Sequence, residues 1–177
     1  MSRPRLATLW LDGCSGCHMS LLDLDERLLE LATKADIVFS PLVDVKEFPR
    51  DVDIALVEGA IGTDEDREKI LKVRERSRLL VAFGDCAVTG NVPAMRNPHG
   101  TCCVLARAYH ETVTESPQTP AENLPRLAER VCPIHEVVAV DLVIPGCPPP
   151  ADVIHEVLTE LVAGRMPDPA RLSRFGQ

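Results

Sequence analysis

Short apolar runs alternate along the chain with stretches of helical spacing. Residues 6–11, 36–43, 52–57, 78–83 and 137–144 are rich in Val, Ile, Leu and Ala. Near-continuous runs of this kind predict parallel strands covered on both faces, not half-exposed strands with alternating polarity. Between them, Leu21, Leu22, Leu24, Leu28, Leu29 and Leu31 recur at about helical spacing and predict a helix over 19–32. A second helix is predicted over 63–77, with Thr63 as its N-cap and Asp64, Glu65 and Asp66 in the first turn, where they suit the helix dipole. A third covers 151–163, with Val153, Ile154, Val157, Leu158, Leu161 and Val162 on one face and Gly164 as its stop. Strands alternating with helices predict an α/β fold, a flavodoxin-like doubly wound and mainly parallel sheet.

Residues 91–135 break the alternation. Six prolines fall in this segment (Pro93, Pro98, Pro117, Pro120, Pro125 and Pro133), with short helical pieces near 102–110 and 123–130. The expectation is one domain over 1–177, with a Pro-rich irregular insertion at 91–135 before the last strand. Such an insertion in a compact domain is usually functional or interface-forming, the alternative being a plain surface excursion.

Composition narrows the function classes. The chain has 177 residues and a net charge of −8, and aromatic residues make up only 3% of it. That balance argues against a nucleic-acid partner, whose footprint is a basic patch with stacking side chains. A hydrophobic content of 45% excludes a disordered chain. No run approaches the roughly 20 apolar residues a membrane span needs, and the N-terminal apolar run, interrupted by Asp12, is too short for a signal peptide. A cytoplasmic location is the expectation, and in that reducing setting clustered cysteines bind metal or do redox chemistry more often than they form disulfides.

Seven cysteines are present, and four are distinguished by position. Cys14 and Cys17 form Cys-Ser-Gly-Cys after the first predicted strand. Cys86 follows the fourth strand in Phe-Gly-Asp-Cys-Ala, and Cys147 follows the last in Ile-Pro-Gly-Cys-Pro-Pro-Pro. Loops leaving the carboxyl ends of parallel strands gather at one edge of the sheet, where open α/β folds place ligands. Four thiolates there suit an iron–sulfur cluster or a zinc ion. Gly13, Gly16, Gly84 and Gly146 permit tight turns and bring backbone N–H groups close to the sulfurs, while Pro148, Pro149 and Pro150 stiffen the last loop. Each cysteine alone reads as a small buried hydrophobe. A dithiol at Cys14 and Cys17 ahead of a helix is a third reading, but it leaves Cys86 and Cys147 unexplained.

The motifs Gly13-Cys14-Ser15-Gly16-Cys17-His18-Met19-Ser20, Val57-Glu58-Gly59-Ala60-Ile61, Gly84-Asp85-Cys86-Ala87 and Pro145-Gly146-Cys147-Pro148-Pro149 resemble those of the nickel–iron hydrogenase small subunit. The nearest resemblance is to the short small subunit of soluble, bidirectional NAD-reducing hydrogenases. It implies that Cys14, Cys17, Cys86 and Cys147 hold one [4Fe–4S] cluster. It also implies two partners: a large subunit bearing the Ni–Fe centre, and a diaphorase module with FMN, further clusters and the NAD site. Exported relatives resemble a longer form with a twin-arginine signal and further clusters, and they usually carry Glu where this chain has Gly13. A proton route through that carboxylate is therefore not expected here. The related cluster subunit of respiratory complex I typically has adjacent cysteines in the first motif, so the Cys-x-x-Cys spacing favours hydrogenase.

The remaining candidates are weaker. Glu58 should reach the same edge, either as an anchor for the helix that follows or as a carboxylate tuning the cluster or relaying protons. His18 reads as the start of the first helix. Cys102, Cys103 and Cys132 are surplus thiols, and His99, His110, His135 and His155 show no ligand spacing. A flavin is not expected, because the cysteine pair occupies the place of a phosphate loop.

Overall fold

The computed structural model describes residues 3–168. In chain order the elements are β1 (Arg5–Trp10), α1 (Gly16–Leu22), α2 (Glu26–Lys34), β2 (Asp36–Phe39), β3 (Val52–Glu58), β4 (Ile61–Thr63), α3 (Asp64–Arg76) and β5 (Ser77–Phe83). They continue with α4 (Asp85–Thr89), α5 (Asn91–Ala94), α6 (Thr101–Ala106), β6 (Leu127–Cys132), β7 (Leu142–Ile144) and α7 (Ala151–Val162). A π-helical turn, Arg107–Glu111, extends α6, and a 3-10 turn, Ile134–Glu136, follows β6.

Five strands form one sheet in the order β2-β1-β3-β5-β7, and every pairing in it is parallel. Counting only these five in chain order gives 2-1-3-4-5, the flavodoxin arrangement, with its switch point between β1 and β3. Neighbouring strand residues point to opposite faces and feed separate cores. Leu6, Ile54, Leu56, Val81 and Phe83 pack with α1, α2 and α7 on one side. Ala7, Ala55, Val57, Leu80 and Ala82 pack with α3 and α4 on the other. Burial on both faces explains why these strands read as continuous apolar runs.

Local signals account for the helices. Thr63 Oγ1 accepts the Asp66 N–H while the Asp66 carboxylate accepts the Thr63 N–H, a reciprocal capping box at the start of α3. The helix expected over 19–32 is instead two. Asp25 takes φ 49°, and the break at 23–25 turns the chain so that Leu24 is fully buried between α1 and α2.

Three further differences lie outside the main layers. The second strand ends at Phe39. The last strand starts only at Leu142, and ahead of it Ile134–Glu136 winds into the 3-10 turn that buries Ile134. Residues 123–130 are not helical. Leu124, Leu127, Ala128 and Val131 imitate helical spacing, but Leu127–Cys132 pairs antiparallel with Ile61–Thr63 as a separate two-stranded sheet.

Candidate metal centre

The sheet ends decide where the thiols stand. β1 delivers Cys14 and Cys17, β5 delivers Cys86 in the first turn of α4, and β7 delivers Cys147. The loops are tied together as well as adjacent. Gly84 donates its N–H to the Ile144 carbonyl at 2.8 Å, and Asp85 donates its N–H to the Gly146 carbonyl at 2.9 Å. Asp85 Oδ1 accepts the Gly146 N–H in return at 2.7 Å. Ser20 Oγ of α1 donates to the Pro149 carbonyl at 2.6 Å, closing the ring of loops from the other side. The Cys147–Pro148 peptide is cis.

Two glycines leave room that a side chain would fill, one beside a sulfur and one beside the proline loop. At Gly84, with φ +83°, a Cβ would stand 2.2 Å from Cys17 Sγ. At Gly146, with φ +138°, it would stand 2.6 Å from Pro149 Cα. Both positions combine a backbone conformation that favours glycine with a contact no side chain tolerates.

Two of the thiols are shifted by their surroundings. Burial pushes the Cys17 thiol far up, and Glu58, Cys86, Cys14 and Cys147 add to the rise. Burial likewise pushes Cys86 up to about 11, against the lowering effect of the Val92 backbone. Cys17 and Cys86 are buried, whereas Cys14 and Cys147 are exposed. Four cysteine sulfurs on one edge are a donor set that a polynuclear iron–sulfur group accepts. Among the described residues, no three His, Cys, Asp or Glu side chains are arranged to hold a single metal ion.

Glu58 does reach this edge, but not as an anchor for the helix after its own strand. Its Oε2 accepts the backbone N–H of His18 at 2.7 Å, satisfying a free donor in the first turn of α1. His18 is a buried member of the same assembly. Its Nε2 pairs with Thr8 Oγ1 at 3.0 Å, and its ring packs edge-on against Trp10 and Phe83. Nδ1 stands 2.9 Å from Glu58 Oε2 without forming a hydrogen bond. Asp12, just ahead of the first cysteine, lies against Gly62, and burial with nearby Asp66 raises its carboxyl pKa against the pull of Arg96.

Sequence reasoning missed two residues at this edge. The His18 role had no signal beyond its place after Cys17. Asn91 donates Nδ2 to Cys147 Sγ at 3.3 Å, and the Gly90-Asn91 pair after the Cys86 motif was a turn signal that could have drawn attention to it. The surplus thiols stand elsewhere: Cys102 and Cys103 are exposed on α6, and Cys132 is half-buried at the end of β6.

A flavodoxin-type sheet carrying four thiols at its switch-point edge defines the class, a small α/β protein built around a candidate metal centre. The chain belongs to the family described as NADH ubiquinone oxidoreductase, 20 Kd subunit, which matches residues 14–161. Its relatives include hydrogenase subunits. It is 42% identical to the NAD-reducing hydrogenase HoxS subunit delta of Cupriavidus necator, over 97% of this chain and 85% of that one. It is also 42% identical to a subunit of the F420-non-reducing hydrogenase of Methanothermobacter marburgensis, over 90% of this chain but only 54% of that one. The crystal structure of an NAD+-reducing [NiFe]-hydrogenase in the H2-reduced state contains a chain that superposes with a TM-score of 0.93. That chain is 42% identical, and the match covers 98% of this chain and 99% of that one. The [NiFeSe]-hydrogenase of Dm. baculatum shares the fold at a TM-score of 0.62 and 20% identity, over 92% of this chain and 63% of that one.

Proposed function

We propose that Cys14, Cys17, Cys86 and Cys147 hold one [4Fe–4S] cluster, and that the chain is the electron-transfer small subunit of a cytoplasmic NAD-reducing nickel–iron hydrogenase. The observation that carries this reading is the gathering of four strand-end thiols on one edge of the sheet, where the other cysteines raise the thiol pKa of both Cys17 and Cys86. Residues 1–177 act in it as one domain, with 91–135 as an insertion. One partner is a large subunit with the Ni–Fe centre, and the other is a diaphorase module with FMN, clusters and the NAD site. The assembly carries out H2 + NAD+ → NADH + H+. When bound, the cluster supplies a one-electron carrier between the two partners.

The chain's own residues position that carrier and keep water from it. Cys17 and Cys86 are buried under the loops, while Cys14 and Cys147 face outward toward a partner. Exposed Trp10, Met19, Val92 and Met95 lie in the same edge segments and suit a docked protein. No acid–base step is assigned to this chain, and Glu58 serves as an anchor for the Cys17 turn.

Anaerobic purification of the whole complex tests the reading. About four irons per copy of this chain are expected beyond those of the other subunits, and Cys147→Ala is expected to remove that share. One zinc per copy of this chain in place of those irons overturns it. Cys147→Ala is expected to abolish H2-dependent NAD reduction while leaving hydrogen–deuterium exchange by the large subunit. The 42% identity to the Methanothermobacter relative favours a second acceptor as the competing outcome. Electron delivery to viologen but not to NAD, in the intact complex, selects it.

A further inference from the structure

One short segment after Cys86 supplies a hydrogen-bond donor to the Cys147 thiol. Gly90, at φ +86°, ends α4 and lets the chain reverse. Asn91 follows at φ +31°, a conformation that few residues other than glycine adopt, although asparagine tolerates it better than most. Its backbone N–H is held by Thr89 Oγ1 at 3.3 Å, and Thr89 Oγ1 itself donates to the Asp85 carbonyl at 2.8 Å. This turn aims the carboxamide at Cys147, with Nδ2 at 3.3 Å from Sγ.

We propose that Asn91 is a positioning residue that sets the reduction potential of the cluster, by donating a carboxamide N–H to the sulfur of Cys147. The proposal rests on the cluster reading above. A metal-bound cysteine sulfur carries no proton and can only accept, so the NH2 end of Asn91 must face it. A hydrogen bond to such a sulfur is stronger when the cluster holds an extra electron, because the sulfur is then more negative. The bond therefore favours the reduced state and raises the potential. The unusual backbone conformation at Asn91 fits this role, since strained residues persist where the surroundings hold a functional geometry. Asn91 donates through its side chain and is the point at which the potential can be changed.

The test uses the intact complex, with iron content measured first and an EPR-monitored redox titration second. Asn91→Gly keeps the backbone conformation without strain and removes the donor. Asn91→Asp keeps the shape, removes the donor and adds negative charge. Both variants are expected to retain full iron, with the potential of this cluster lowered in N91G and lowered further in N91D. The potentials of the diaphorase clusters stay fixed and serve as the internal reference. A wild-type potential in N91G with full iron overturns the proposal, whatever N91D does. Loss of iron from both variants also overturns it, in favour of a purely structural role. A wild-type complex without iron in this chain is a separate failure, because it overturns the cluster reading on which the proposal stands.

Discussion

The parallel sheet and the segment 91–135 are stabilised in different ways. In the sheet, β1, β3 and β5 bury both faces under helices, and Leu56, Val57, Leu80, Val81 and Phe83 have no appreciable exposure. In the segment, α5, α6 and the π-helical turn contain no buried residue. Its C-terminal end is anchored by the buried Val131 and Ile134, and the stretch before it is pinned mainly by hydrogen bonds. Arg96 reaches the Gly62 and Ala128 carbonyls at 3.0 and 2.8 Å, and Asn97 holds the Val131 backbone through both its N–H and its C=O. Burial spreads stability over many side chains and makes a cooperative unit. Polar pins concentrate it in a few, so one substitution can release a region while the rest stays folded.

The largest break in that comparison is expected inside the sheet. Leu56→Ala leaves a cavity in the central strand and should cost about 2–5 kcal/mol in global stability, read by urea unfolding. Arg96→Ala should cost about 1.5–3 kcal/mol, because two carbonyls lose a charged donor. Its signature is local: hydrogen exchange speeds up across 91–135 while the amides of β1, β3 and β5 keep their protection. Equal loosening of both regions would show that they form one cooperative unit.

Two smaller effects sharpen the contrast at the seams. Thr63→Ala removes the capping box of α3, whose N-terminus adjoins the β4–β6 pair, and should cost about 1 kcal/mol by the same unfolding measurement. Asp141 joins the last strand to the fourth strand of the sheet. Burial pushes its carboxyl up, but the Arg74 guanidinium and the Leu80 N–H outweigh that and hold it below the usual carboxylate range. A lowered folded-state pKa means its contribution is complete above the ordinary carboxylate value and fades as pH falls through the lowered one. With the group about one-third exposed, that contribution is about 0.2–1 kcal/mol. Asp141→Asn should remove the corresponding acid-side slope from stability measured between neutral pH and about pH 3.

The strands were legible because parallel strands buried on both faces have no polar positions to disguise them. The cysteines were legible because their motifs sit at strand ends, so topology alone brings them to one edge. The pairing of Ile61–Thr63 with Leu127–Cys132 was not, because no local pattern announces partners more than 60 residues apart. The break at Asp25 was hidden for a related reason. Leu28 and Leu31 keep helical spacing on either reading, and only packing shows that the axis has turned.

The amino-acid sequence by itself determined the α/β alternation, the parallel sheet and the four thiols at its carboxyl edge, because these follow from local hydrophobicity and from chain order. Tertiary structure alone decided what surrounds the thiols. It turned Glu58 toward the His18 N–H of α1, away from the helix after its own strand. It buried the His18 ring between Trp10 and Phe83 and brought Asn91 to Cys147 across 56 positions of sequence. Hydrogen bonds between distant segments depend on distances of a few tenths of an ångström, and those are set by the packed layers, not by the residues' own preferences.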